Sequence, residues 1–281
     1  MLQFRVRSLA ETTSTNDEVK RALAAGEPEG LAVRALRQTA GYGRQGRAWE
    51  SPVGGMYQSF LLRPAVPPAQ LPTLSLAVGL AVRRAVASLV PAAADTVLVK
   101  WPNDVVVGDR AAAPDVPVRA AFRKLCGISV EACSGGICVG VGVNVANASA
   151  RGIAGAGSGR GEVAALSDVP ARIGENVPVH LDELGFCTGS VEHRIAAVAD
   201  AVCAELASLY DAWCRDGFAP LLPEYDARAA LAGRAVTIVD HYTGDELCSG
   251  TVLGADEHGR LLLRDAAGVV HPIMSGEAHI A

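Results

Sequence analysis

The spacing of apolar positions divides the chain into short strands and a few long helices. Residues 4–9 alternate apolar and polar in strand fashion. The polar run Thr12-Thr13-Ser14-Thr15-Asn16-Asp17-Glu18 then leads into a helix over 19–25 that Gly26 closes. Thr15 and Glu18 have capping-box spacing, with acids in the first turn. Residues 31–38 predict a second strand and 57–63 a third, reached through Gly54-Gly55. A proline-rich turn over 64–71 precedes a long apolar helix to Val90. Gly79, Arg83 and Arg84 interrupt that helix, so it reads as buried and not as a membrane span. Short strands follow over 96–100 and 105–107, joined by Trp101-Pro102-Asn103-Asp104.

Residues 124–132 and 137–145 are β-branched runs around Ser134-Gly135-Gly136, the pattern of an antiparallel hairpin. Residues 191–213 carry a helical stripe of Ile195, Val198, Val202, Leu206 and Leu209, and a further helix is expected over 219–231. After Gly233 the texture changes to short strands over 235–239, 246–253, 260–264 and 269–273. Segments 108–123 and 146–160 have no period and read as surface loops. The pattern is that of an α+β fold: a mixed or antiparallel sheet flanked by helices over 1–231, and a small all-β module over 232–281.

Composition narrows the function. Among 281 residues, 50% are hydrophobic and only 5% aromatic, so the core is built mainly from Ala, Val and Leu. The formal charge is 25 minus 30, or −5, without a basic tail. That argues against nucleic acid or an anionic membrane as a general partner, while leaving room for a local positive pocket. The amino terminus lacks the apolar core of a signal peptide, and the seven cysteines show no C-x-x-C pair. Reduced thiols in a cytoplasmic protein are the expectation.

The densest chemistry lies in Gln38-Thr39-Ala40-Gly41-Tyr42-Gly43-Arg44-Gln45-Gly46-Arg47-Ala48-Trp49. Glycines let backbone amides converge on an anion, and arginines add forks suited to phosphate or carboxylate. Gly41, Gly43 and Gly46 also spell G-x-G-x-x-G, but a dinucleotide site needs a helix to open on that loop. Here a strand follows. A plain glycine turn with solvated arginines is the bland alternative. Two further features accompany the loop. Lys100, Trp101, Asn103 and Asp104 gather at one strand end, and Gly127, Gly140 and Gly142 lie inside predicted strands. Glycine in a strand suits close approach to the backbone, and three near one hairpin suggest a flat ligand against the sheet.

Ser14-Thr15-Asn16, Gln38 with the glycine loop, Lys100-Trp101-Pro102-Asn103-Asp104, Lys124-Leu125-Cys126-Gly127-Ile128 and Gly140-Val141-Gly142-Val143-Asn144 occur in that order. Together they resemble the biotin protein ligases, also called biotin–[acetyl-CoA carboxylase] ligases, over essentially the whole chain. The resemblance implies a class II synthetase-like catalytic domain and a carboxy-terminal SH3-like β-barrel. It implies formation of biotinyl-5′-AMP from biotin and ATP with Mg²⁺, then transfer to a lysine of a biotin carboxyl carrier domain. It places Ser14, Thr15, Asn16, Gln38, Gly41, Tyr42, Gly43, Arg44, Lys124, Gly127, Gly140 and Gly142 at biotin. Lys124, Arg44 and Lys100 take the catalytic roles. Arg44, Arg47, Trp49, Lys100, Asn103 and Asn144 attend the nucleotide, and Asp104 the metal.

The chain departs from the family pattern at Tyr42, where many bacterial members carry arginine, and in the longer 108–123 segment. Cys126 stands where a small residue is common and should be harmless. A lipoate–protein ligase or octanoyltransferase, a non-catalytic biotin sensor, and more remotely a nicotinamide-linked oxidoreductase are the competing readings. The presence of both Lys100 and Lys124 argues against the sensor. A homodimer remains open. Thirteen residues precede Ser14, too few for the amino-terminal winged helix-turn-helix of some members. A gel-shift assay is therefore expected to show no sequence-specific operator binding, and a specific shift would overturn that expectation.

Overall fold

A computed structural model describes residues 2–109, 122–133, 135–147, 177–240 and 243–280. Residues 110–121 of the 108–123 segment and 148–160 of the expected 146–160 loop lie outside the described residues. The larger sheet contains β1 (Arg5–Thr12), β2 (Leu31–Gln38), β3 (Gly55–Leu62), β4 (Val97–Lys100), β5 (Asp104–Gly108), β6 (Phe122–Cys133) and β7 (Gly136–Asn144). Its order is β1-β2-β3-β7-β6-β5-β4. Only β1 and β2 run parallel. A parallel pair needs a crossover, and helix α1 (Thr15–Ala24) supplies it.

Alternation along the strands assigns the two faces. Leu31, Val33, Leu61 and Cys138 point toward Val19, Ala22 and Leu23 of α1 in one small cluster. Their neighbours Ala32, Phe60, Leu62 and Val139 join the main core under α2 (Leu74–Leu89) and α3 (Val191–Asp216). With both faces covered, all eight residues of β3 are buried, including Gln58 and Ser59. The apolar helix α2 is thus a core element of the sandwich. Trp213 of α3 is 0% exposed and donates from Nε1 to Thr73 Oγ1 at 2.7 Å, tying α3 to the start of α2.

Two local expectations need correction. The cap of α1 is Ser14, whose Oγ accepts from Asn16 N at 3.2 Å. Thr15 instead sends its amide and hydroxyl to Gln38 Oε1, and Glu18 Oε1 accepts from Thr12 Oγ1 at 2.7 Å. Tertiary partners outcompete the local box. The helix expected over 219–231 is confined to α4 (Leu222–Arg228) after a 3₁₀ turn at Ala219–Leu221. It stops because Ala229 turns extended and Ala230 N donates to Val99 O at 2.8 Å, using the free edge of β4.

The remaining strands are β8 (Ala235–Val239), β9 (Glu246–Ala255), β10 (Leu261–Arg264), β11 (Val270–Ile273) and β12 (Glu277–Ile280). They form an antiparallel sheet in the order β11-β10-β9-β8-β12. The sheet has five strands, and among the described residues no ladder joins β11 to β12. Strand β12, encoded by only four residues, Glu277-Ala278-His279-Ile280, is an addition to the expected strands. Val236, Ile238, Val252, Leu261 and Leu263 belong to the same core as the large sheet. Trp101 Nε1 donates to Gly259 O at 3.1 Å and Ala255 N to Asp226 Oδ1 at 3.2 Å across the junction.

Truncating Trp213 removes the largest fully buried side chain, so Trp213→Ala should destabilise by about 3–5 kcal/mol. Urea unfolding measures this, and a loss near zero would contradict the packing of α3 on α2.

Candidate functional site

A cleft of about 930 Å³ opens where the β2–β3 loop, the start of α1, the β4–β5 turn and strands β6 and β7 meet the carboxy-terminal sheet. Its floor is a chain of neutral polar side chains. Gln38 Oε1 accepts from Thr15 N at 2.8 Å and Thr15 Oγ1 at 3.1 Å, and Gln38 Nε2 donates to Ser51 Oγ at 2.9 Å. The Ser59 hydroxyl lies 2.7 Å from Thr15 Oγ1 and 2.6 Å from Asn16 Oδ1. Asn16 Nδ2 donates to Ser129 Oγ at 3.2 Å. Thr15, Asn16, Ser59 and Ser129 are each less than 5% exposed, so these groups are fixed in orientation before any ligand arrives.

The opposite end is charged. Arg44, Arg47, Lys100 and Lys124 face the cleft with Asp104, Asp240 and Glu277. Four cations against three carboxylates make a local positive excess in a chain whose net charge is −5. Lys124 Nζ lies 2.8 Å from Asp104 Oδ1 and 5.3 Å from the Trp49 ring centroid. Lys124 also has a fixed backbone: its N–H donates to Val177 O at 2.8 Å, and its carbonyl accepts from Val179 N at 3.0 Å and Asn144 Nδ2 at 3.1 Å. Burial pulls the Lys100 pKa down, opposed by Asp104 and reinforced by Lys124. Burial likewise lowers that of Arg44, again opposed by Asp104.

The β2–β3 loop folds back on itself. Trp49 N donates to Gly41 O and Gly43 N to Arg47 O, both at 2.9 Å, and Tyr42 pairs with Ala48. At the tip Gln45 has φ 59° and Gly46 φ 71°, a left-handed step that glycine adopts at little cost. Arg44 Nη1 donates to Asn103 Oδ1 at 3.1 Å, and Arg47 pairs with Glu277 of β12. Asn103 in turn donates from Nδ2 to Ile128 O at 2.8 Å, which fixes the β4–β5 turn against β6.

Most of the sequence-predicted residues line this cleft: Thr15, Asn16, Gln38, Tyr42, Gly43, Arg44, Arg47, Trp49, Lys100, Asn103, Asp104, Lys124, Gly127, Gly140 and Gly142. Three do not. Ser14 is buried as the α1 cap, Asn144 holds the Lys124 carbonyl, and Gly41 is packed from behind. A Cβ on Gly41 would stand 2.4 Å from Ser51 Oγ, so its size serves the loop's own packing.

The flat-ligand explanation of the strand glycines also changes. A Cβ on Gly142 would lie 2.9 Å from Trp49 Nε1, and one on Gly127 3.0 Å from Trp49 Cζ3. On Gly140 it would lie 2.3 Å from Asn16 Oδ1. The flat group against β6 and β7 is the protein's own indole, and the third glycine admits Asn16. Trp49 Nε1 is buried with no hydrogen-bond partner among the described residues, a donor left for an acceptor in the cleft.

Sequence reasoning missed Ser59, Ser129, Tyr57 and, from the other sheet, Asp240, Ala278 and His279. A polar pair, Gln58-Ser59, inside a strand buried at every position was the available signal for Ser59. The residues on the second sheet had none, because only tertiary docking brings them to the cleft. No cluster of three or more His, Cys, Asp or Glu able to hold a metal occurs among the described residues. Asp104 is a single carboxylate already paired with Lys124. That donor set does not fit a metal held by the protein alone.

Gly142→Ala should cost about 1–3 kcal/mol while Trp49 is present, and much less in a Trp49→Ala background. Thermal denaturation of the four variants in this cycle measures the coupling. Equal costs in both backgrounds would refute the indole–glycine contact.

Comparison with known proteins gives a consistent family. Residues 8–146 match the biotin/lipoate A/B protein ligase family, and residues 232–279 match the biotin protein ligase C-terminal domain. A biotin–[acetyl-CoA-carboxylase] ligase of Paracoccus denitrificans is 31% identical over 266 residues, covering 92% of this chain and 94% of that protein. The corresponding Mycobacterium tuberculosis ligase is 29% identical over 275 residues, covering 96% and 86%. The bifunctional ligase/repressor BirA of Escherichia coli is 29% identical over 254 residues, 88% of this chain, which spans only 65% of that relative's length. In structure, the biotin protein ligase from Aquifex aeolicus, solved in complex with biotin and ATP, superimposes with a TM-score of 0.72 at 24% identity. That match covers 98% of this chain and 97% of the other, and shows a shared fold. By sequence relatives that it matches almost end to end, the chain belongs to the biotin protein ligase family.

Proposed function

We propose that this protein joins biotin to ATP as biotinyl-5′-AMP, and then passes the biotinyl group to a lysine of the carrier domain of an acyl-CoA carboxylase. The observation that carries this reading is the polarity of one cleft: a neutral hydrogen-bonding floor at one end and four cations at the other. Biotin has matching ends, an uncharged ureido ring and a carboxylate tail, and ATP brings phosphates to the charged end. Relatives named as biotin–[acetyl-CoA-carboxylase] ligases support it.

In the first step a biotin carboxylate oxygen attacks the α-phosphorus of ATP, and the bond to the β-phosphate oxygen breaks to release pyrophosphate. Two anions must meet, so preorganised cations are the main requirement. Lys124, fixed at its backbone and paired with Asp104 at the charged end, neutralises the meeting oxygens. Arg44, Arg47 and Lys100 take the phosphates, and Trp49 offers its indole to the adenine. Asn144 serves through Lys124, whose carbonyl it holds. Mg²⁺ enters on the phosphates of ATP as part of the substrate, and Asp104 acts first as the counter-ion of Lys124. In the second step the carrier's lysine amine attacks the biotinyl carbonyl carbon, and AMP leaves.

The floor also bears on the lipoate alternative. Thr15, Asn16, Gln38, Ser59 and Ser129 present hydrogen-bonding groups that a dithiolane or an alkyl chain would bury unanswered. Such a mismatch discriminates strongly. Biotin-dependent ATP–pyrophosphate exchange, followed by transfer to a carrier domain, tests the assignment. Exchange supported by lipoate or octanoate but not by biotin would sink it. Lys124→Ala should reduce exchange about 10²–10³-fold with the thermal midpoint little changed. A large loss of stability with proportionate loss of activity would mean that Lys124 is structural.

A further inference from the structure

Among the side chains that tie the β2–β3 loop to the body of the protein, Tyr42 differs in kind from Arg44 and Arg47. Arg44 on Asn103 and Arg47 on Glu277 are cations at the phosphate-accepting end of the cleft. An anionic ligand competes directly for both. Tyr42 points the other way, to helix α1. Its hydroxyl donates to Asp17 Oδ1 at 2.8 Å and accepts from Lys20 Nζ at 2.9 Å. Lys20 also bonds Glu131 Oε2 of β6 at 2.6 Å and lies 5.1 Å from the Tyr42 ring centroid. Burial and the bond to Asp17 push the Tyr42 phenol up to about 12 against the pull of Lys20, so it remains a neutral donor at physiological pH.

The position within the loop matters as much as the contacts. Tyr42 is bridged to Ala48, so one side chain secures both arms at the base, while the tip at 43–47 carries the arginines. A phenol suits this place for a chemical reason. It accepts from Lys20 and donates to Asp17 at once, whereas the arginine expected from the family resemblance has no acceptor for Lys20.

We propose that Tyr42 is a ligand-independent anchor of the loop's arginine-bearing tip. It is a positioning residue that stays on α1 while Arg44 and Arg47 exchange their protein partners for phosphate oxygens, and the Asp17–Tyr42–Lys20–Glu131 group thereby sets how long the adenylate is retained. The retention part rests on the ligase reading above; the anchor itself does not.

Hydrogen exchange followed by mass spectrometry on the ligand-free protein tests the anchor alone. Tyr42→Phe should speed exchange of the amides of residues 41–49 about tenfold, the scale of a hydrogen bond to a charged group, with exchange elsewhere unchanged. Lys20→Met should do the same, and the double variant should add little to either. Release of biotinyl-AMP from the enzyme, measured by rapid filtration, should accelerate several-fold in Tyr42→Phe. Unchanged exchange in 41–49 would overturn the anchor. Faster loop exchange with unchanged adenylate release would overturn its role in retention. If the wild-type protein formed no adenylate from biotin, the ligase reading and with it the retention claim would fall, while the exchange data would still decide the anchor.

Discussion

The close approach of Asn16 and Trp49 to the backbones of β6 and β7 determines the form of the cleft. Both side chains occupy space that any Cβ at Gly140, Gly142 or Gly127 would claim. With Asn16 seated, Ser59 and Ser129 find partners and the polar floor becomes a connected set of hydrogen bonds. With Trp49 seated, the end of the β2–β3 loop is fixed and the indole lies within reach of the Lys124 ammonium. Glycine weakens a strand by itself, so the sheet must be secured elsewhere. Central strands buried on both faces by α1, α2 and α3 provide that security.

Charge is arranged on the same frame. Asp104 stands at the start of β5 opposite Lys100 in register, and its carboxylate reaches Lys124 on β6. One carboxylate therefore moderates several cations without cancelling them, leaving a positive end that is stable without ligand yet favourable to phosphate. The neutral floor lies at the other end. This separation lets one cleft hold an uncharged ring and a string of anions without placing either in the wrong surroundings.

Much of this was legible in the sequence. The period changes located nearly every strand of the large sheet, and the order of the motifs pointed to one family. Local rules failed where tertiary partners were stronger. Thr15 has capping-box spacing yet turns to Gln38 because β2 delivers that amide beside it. Ala229 and Ala230 look helical yet pair with Val99 on the open edge of β4. The strand glycines were rightly read as sites of close approach, but a sequence does not say what approaches. Ser59 was hidden within an apolar run, and Asp240, Ala278 and His279 reach the cleft only through the docking of a sheet remote in sequence.

The shared core between the two sheets has a consequence for cooperativity. Val252, Leu261 and Leu263 pack in the same apolar cluster as the strands beneath the cleft, and Ala230, just before the second sheet, is hydrogen-bonded to β4. Loosening the smaller sheet would thus uncover core residues of the larger one and remove the wall that bears Glu277. The two are distinct in sequence texture, but the free energy that holds them is common. Opening either sheet exposes core residues of the other, so the cleft depends on both sheets being in place.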